Sequence, residues 1–211
     1  MKNLLRAKPK SASRQEISAL SSVVGRAGIV MLTSHFERYI YAANEEAVGF
    51  VNQQSPSSHK LPLTLRLQHS KPPLDELERT SWENRAQQLH DFASTDAWLW
   101  RTDVPGDVLA TPLLAWMKSP KPKALIRYYR IWEIENIFKA ITRNDRNAHT
   151  LRLQVQGFVD KRNAIAHGDL GEKATRRDVW SYMKTARNFC ERSDRQLARA
   201  IAKLLGSNRP W

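Results

Sequence analysis

The stretch Arg162-Asn163-Ala164-Ile165-Ala166-His167-Gly168 sets an arginine, an amide and an imidazole within six positions. These side chains suit a phosphate. A guanidinium grips phosphate oxygens with a planar fork of donors, an imidazole gives or takes a proton near neutral pH, and an amide orients either one. Such a string on a helix is ordinarily surface decoration, so its meaning depends on where the helix places it. Leu151, Val155, Phe158, Arg162 and Ile165 recur at steps of four and three, which puts Arg162 where a core residue belongs. A guanidinium there needs either an internal carboxylate or a site open to an anion. Glu37, in Ser34-His35-Phe36-Glu37-Arg38-Tyr39, is the candidate carboxylate.

Asn163 and His167 are four apart and share a helix face, whereas Arg162 and His167 are five apart, roughly 140° around a regular helix. One helix does not easily aim both groups at one phosphate. A bend near Gly168, or a second copy of the helix across a dimer, resolves this. RNA cleavage without a metal needs a base for the 2′-hydroxyl proton, an acid for the leaving 5′-oxygen, and cations around the transition state. A two-fold dimer brings two histidines and two arginines to one cleft, each chain giving half a site. The 2′-hydroxyl nucleophile selects RNA over DNA.

The elements that must carry these groups are helical. Met1 to Arg14 holds five Lys or Arg and no acid, and is expected to be a flexible basic arm. From Gln15 to about Gln54 the apolar positions Ile29, Leu32, Phe36, Ile40, Ala43, Ala47 and Phe50 predict a long helix, with Gly25 and Gly28 as possible breaks. Residues 55–122 read as an irregular insertion rich in Pro and Trp. Within it, Leu61, Leu63, Leu65 and Leu67 alternate as a short strand or a loop, a helix is expected over Asp75 to Phe92, and short helices and turns follow. A further helix is predicted over Lys123 to Thr142 and the motif helix over Arg146 to His167, ended by Gly168 or Gly171. Thr175, with Asp178 three residues on, caps a last helix reaching Leu205. The fold class is all-α, a bundle of four to five main helices in one domain over 15–211.

Charge and composition narrow the partners. The 211 residues carry 34 Lys and Arg against 21 Asp and Glu, a formal net charge of +13. That balance favours a polyanion, most commonly nucleic acid. Residues 161–211 alone hold twelve Lys or Arg against five Asp or Glu, and Arg176, Arg177, Lys184 and Arg187 are candidates to track an RNA backbone. The sequence is read as having no span of some 18 apolar residues and no signal core, which predicts a soluble chain. One cysteine, Cys190, excludes an internal disulfide and a cysteine-based zinc site and fits a reducing cytoplasm. The histidines show no metal-ligand spacing, and neither a glycine-rich phosphate loop nor a Gly-x-Ser-x-Gly elbow occurs, so no cofactor is expected. The aromatics of Arg127-Tyr128-Tyr129-Arg130-Ile131-Trp132 are read as core rather than as base-stacking groups.

Arg162, Asn163 and His167, the glycine that follows, the early Ser34 to Tyr39 string and the helix start Ala174-Thr175-Arg176-Arg177-Asp178-Val179 together resemble the HEPN-domain family, and within it the RiboL-PSP-HEPN subgroup. The resemblance covers about residues 15–205, although its specific motifs occupy fewer than twenty of them. It implies an all-helical domain acting as a dimeric, metal-independent endoribonuclease, with Arg162 and His167 as the catalytic pair, Asn163 beside them and Glu37 as a supporting acid. It also implies a role in toxin–antitoxin, abortive-infection or other anti-phage systems, with an antitoxin or other restraining partner. Two rival readings remain: a catalytically silent helical module that binds nucleic acid or nucleotide within a defence complex, and a transcriptional regulator using the basic arm. The second lacks an evident helix-turn-helix.

Overall fold

A computed structural model describes residues 14–95, 97–101, 106–169 and 171–211, and the basic arm lies outside them except for Arg14. Among the described residues the chain is all helix and turn, with no strand. Helix α1 runs unbroken over Arg14–Gln53, some 60 Å at 1.5 Å per residue. It is the spine of the bundle. Its predicted stripe faces inward: Ile29, Phe36, Ile40, Ala43 and Ala47 are buried, with Leu32 and Phe50 packed at the edges.

Against α1 lie α7 (Asp145–Ala166) and α8 (Arg176–Leu205), close to their predicted bounds. Both start where local chemistry dictates. The Asn144 side chain accepts from the Asn147 N–H at 2.8 Å, satisfying one of the free donors at the start of α7. At α8, Thr175 and Asp178 exchange side-chain and backbone bonds in a full capping box, at 3.1 and 2.9 Å. The three helices meet at Phe36, whose ring stands edge-on to Phe158 at 5.1 Å and to Phe189 at 5.5 Å. Edge-to-face pairs of this kind add to the area they bury.

The region expected to be irregular is substantially helical. The alternating leucines do not form a strand: Leu61 lies in the link before the helix, and Leu63, Leu65 and Leu67 belong to α2, which spans Leu63–Arg79 and passes through Pro72 and Pro73. Proline inside a helix costs about 3 kcal/mol. The helix tolerates it because Leu65, Gln68, His69 and Ser70, just before the prolines, are already buried. The single helix expected over Asp75 to Phe92 is instead the end of α2 and a separate α3 (Arg85–Thr95), joined by a 3₁₀ turn at Trp82–Asn84. The Thr80 hydroxyl, donating to the Gln88 side chain at 2.7 Å, ties the two across the turn. A short 3₁₀ turn at Ala97–Trp100 and α4 (Ala110–Leu114) complete the region, as the expected short helices.

The helix predicted over Lys123 to Thr142 is also two, α5 (Pro122–Arg130) and α6 (Ile137–Ala140). Tyr128, Tyr129, Ile131, Trp132, Ile134, Ile137 and Phe138 are all buried. At 100° per residue a continuous helix would spread them around its whole circumference, and only one face can meet the core. The chain turns instead, with Glu133 at a φ of 59° and the Asn136 side chain accepting from Phe138 N–H at 3.1 Å to start α6.

One expectation about hydropathy is corrected. Helix Glu16–Gln53 includes an 18-residue window of mean hydropathy 1.4, long and apolar enough by composition to cross a membrane, although only 22% of that window is buried. Its polar positions are too few to lower the average, as Arg26 is the only charged residue between Glu16 and Glu37.

Candidate functional site

The motif occupies the last turn of α7 and the turn beyond it. His167 is the C-cap residue, with φ −82° and ψ 7°, and its N–H still bonds Asn163 O at 2.9 Å. Gly168 follows at φ +83°, a conformation that suits glycine because it has no Cβ. Gly168 N–H then bonds Ile165 O at 3.2 Å and Asp169 N–H bonds Ala164 O at 3.0 Å. These paired bonds close the helix in a Schellman turn. Gly168, not Gly171, therefore ends the helix, and it leaves His167 exposed at the rim.

Arg162 sits half-buried on the inner side, as its place in the stripe requires. Its Nη1 donates to Asn163 Oδ1 at 3.1 Å, so the amide does lie against the guanidinium. Its Nε is buried with no acceptor. Among the described residues no carboxylate lies within 4 Å of the guanidinium; Glu37, half-buried on α1, makes no ion pair with it. The internal-carboxylate expectation is thus corrected. Glu37 follows Phe36 on α1 and is turned by 100° from that core position, toward Tyr41, whose hydroxyl is pushed up first by burial and then by the Glu37 charge. Arg162 is left with a polar amide and an unneutralised charge.

The structure brings Arg162 and Asn163 together but does not bond His167 to either. No hydrogen bond or ion pair holds the His167 ring among the described residues. Arg176, Arg177, Lys184 and Arg187 are all exposed on α8, with Arg177, Lys184 and Arg187 on one face. Arg187 is paired with Glu191 at 2.6 Å, which takes it out of the free cationic set. No group of three His, Cys, Asp or Glu side chains able to hold a metal ion occurs among the described residues.

The support for the motif includes residues not singled out from the sequence. Arg26 Nη1, on α1, donates to Asp169 O at 2.7 Å and to Glu172 O at 3.0 Å, holding the segment that follows His167. Gly25 makes this approach possible: a Cβ at that position would stand 2.2 Å from Ala174 O. The glycine expected as a helix break is a docking point instead. Beneath it Ile29, Ala174 and Val179 form a small apolar cluster with Ile165 and Tyr182 against it. A lone arginine in an apolar stretch, directly after a glycine, was the available signal.

Lys161 adds an electrostatic brace, 3.0 Å from Glu172 and 3.5 Å from Asp178. Burial alone would push the Asp178 carboxyl up, but the bonds from Thr175 and the Lys161 charge outweigh it and hold the group below its ordinary value. Burial likewise opposes the Lys161 charge, and Glu172 and Asp178 more than offset it, raising that group. The last turn of α7, the loop after it and the first turn of α8 thus form one fixed corner.

No protein-family model, curated protein or solved structure matches the chain.

Replacing Gly25 by Ala is expected to force the Ala174 carbonyl away, costing about 1–3 kcal/mol in the manner of overpacking. Hydrogen exchange should show faster exchange at the 167–174 amides than at core amides of α7; unchanged protection there would contradict the docking role. For Asp178, a lowered folded pKa means that its stabilisation is complete above the unfolded value of about 3.9 and is lost as pH falls through the lower folded one. Asp178→Asn should therefore lower the melting temperature at neutral pH, and the gap from the unaltered chain should shrink on acidification. A constant gap would count against the brace.

Proposed function

We propose that the chain is a metal-independent endoribonuclease of the HEPN type, working as a homodimer with a composite site. The observation that carries this reading is Arg162: a guanidinium half-sunk in the bundle, its Nε without an acceptor and its charge without a carboxylate, held by Asn163 beside an exposed histidine. An anion satisfies such a group, and the neighbouring Lys161 is paired with Asp178 in the first turn of α8, the helix that carries the basic face.

In the proposed reaction one His167 acts as general base and removes the 2′-hydroxyl proton. The 2′-oxygen attacks the adjacent phosphorus, the bond to the 5′-oxygen breaks, and His167 of a second copy acts as general acid and protonates that oxygen. The products are a 2′,3′-cyclic phosphate and a 5′-hydroxyl end. Arg162 stabilises the charge that builds on the non-bridging oxygens, and Asn163 fixes the guanidinium's plane. Arg176, Arg177 and Lys184 would follow the substrate backbone. Glu37 has no part in this scheme beyond its own helix.

The composite site accounts for the missing bond between His167 and Arg162 within one chain. The surface for a second copy is the N-terminal half of α1. Leu20, Val24, Ala27 and Met31 recur there at steps of four, three and four, the spacing by which two helices interlock. Met31 in this row is 52% exposed, and Val23 beside it is 62% exposed. Because Arg26 on the same stretch holds the segment after His167, pairing through α1 draws two motifs toward one axis. The resemblance extends the proposal to a cytoplasmic toxin or anti-phage effector restrained by an antitoxin or other partner. The unbonded His167 ring also favours a second reading, a silent module that binds RNA through α8 without cutting it.

Purified protein should cleave single-stranded RNA with EDTA present, and Arg162→Ala or His167→Ala should slow cleavage by about 10²–10⁴-fold. Failure to cut, or full activity in His167→Ala, sinks the enzyme reading; salt-sensitive RNA binding that persists unchanged would then leave the silent module. Met31→Glu should give a monomer by sedimentation and lose cleavage in parallel. A Met31→Glu dimer would remove α1 as the interface.

A further inference from the structure

A second surface lies away from the motif. Between α2 and α5 the bundle leaves a hollow of about 690 Å³ floored by Leu67, Leu74, Ile126 and Ile131. Leu74 also borders a second hollow of about 700 Å³ between α2 and α3, lined by Leu77, Trp82, Ala86 and Leu89. None of the lining residues belongs to α7, the 167–175 segment or α8, so the groove is separate from the candidate nuclease site. Its apolar groups are open to solvent: Leu67 is 57% and Trp82 78% exposed. No residue of helix α3 is fully buried, and only Arg85, Gln88 and Phe92 are half-buried. An eleven-residue helix in that position is short for independent stability, because isolated helices of less than about 12–15 residues are marginal in water.

The charges around the groove differ along its length. At the α5 end Arg127 lies over the Trp116 ring at 3.9 Å and donates to Gln68 Oε1 at 3.0 Å, which fixes its guanidinium before any partner arrives. Neither Arg127 nor Lys123 has a carboxylate within ion-pairing distance among the described residues, whereas Lys71 and Arg130 are met by Asp75 and Glu135. At the α3 end the rim carries Glu78 and Glu83 with Arg85.

We infer that this groove docks an acidic amphipathic helix of a protein partner, leucine-like side chains filling the two hollows and carboxylates meeting Arg127 and Lys123. Three features choose that occupant. The floor is largely aliphatic, which suits leucine anchors, and a polyphosphate chain would have to pass Glu78 and Glu83. With no strand among the described residues there is no sheet edge to pair an extended peptide, so the segment must satisfy its own backbone, as a helix does. Arg127 and Lys123 without carboxylate partners, on a chain of net charge +13, are complementary to an acidic partner. From Leu67 to Leu77 the groove runs about 15 Å, close to three helical turns.

The test uses the full chain and fluorescence anisotropy with three labelled probes: a Leu/Glu helix with leucines at i, i+3, i+4 and i+7, the same helix with Lys for Glu, and a single-stranded RNA. The Leu/Glu helix should bind saturably, and Leu74→Glu and Arg127→Glu should each weaken it by about tenfold or more. The Lys version should bind at least about tenfold more weakly. Both side chains are exposed, so the variants should fold; if either does not by circular dichroism, Lys123→Glu takes its place. No binding of the Leu/Glu helix, or binding indifferent to these changes, overturns the proposal. Self-association lost in Leu74→Glu would assign the groove to a second copy, and RNA binding lost in that variant would assign it to nucleic acid; either result also overturns it. His167→Ala should leave the helix bound as before, which separates this site from the nuclease reading.

Discussion

The bundle is organised by the burial of one ring. Phe36 stands edge-on to Phe158 and Phe189, so α1, α7 and α8 are locked at a single level of the core. Helices that close-pack around a shared aromatic have little freedom to slide, because interiors tolerate neither voids nor overlap. With that level set, the heights of Gly25 and Arg26 along α1 and of His167 at the end of α7 follow from helix rise. The clamp between them depends on this registration: it works only if Gly25 arrives opposite Ala174.

The corner around His167 combines local and long-range terms. The Schellman turn and the capping box are short-range devices, each satisfying backbone groups that a helix end leaves open. Their relative placement is not local. Arg26 fixes it by taking two carbonyls from the connecting segment, and Lys161 fixes it again through Glu172 and Asp178. Lys161 is itself largely covered, so its pairs are screened less than surface ion pairs and its desolvation is offset by two carboxylates rather than one. Arg162, one residue on, has no such partner. Adjacent cations in opposite electrostatic states, one neutralised and one not, separate a structural charge from a charge available to a ligand. That contrast is what the proposed nuclease site rests on.

Two apolar surfaces among the described residues, the N-terminal half of α1 and the groove that α2 shares with α5 and α3, are helix faces with the spacing of packing surfaces rather than scattered exposed residues. They differ in charge and in distance from the motif. The α1 face adjoins the segment after His167 and is proposed for a second copy; the groove is bordered by Arg127 and Lys123 and is proposed for an acidic helix.

Much of this was legible in the residues. Periodicity placed α1 and α7, Thr175 with Asp178 marked the start of α8, and Gly168 marked the end of α7, because caps and positive-φ turns are decided within a few residues. Arg162's interruption of an apolar stripe was visible for the same reason. Tertiary packing decided the rest. Leu65 and its neighbours carried α2 through Pro72 and Pro73, and seven buried side chains between Tyr128 and Phe138 broke a helix that local spacing favoured. Glu37's failure to reach Arg162, and Arg26's success in reaching Asp169 and Glu172, depended on how the helices are rotated against each other. Residues separated by more than a hundred positions find one another only through the packing of helix on helix, which spacing along the chain does not encode.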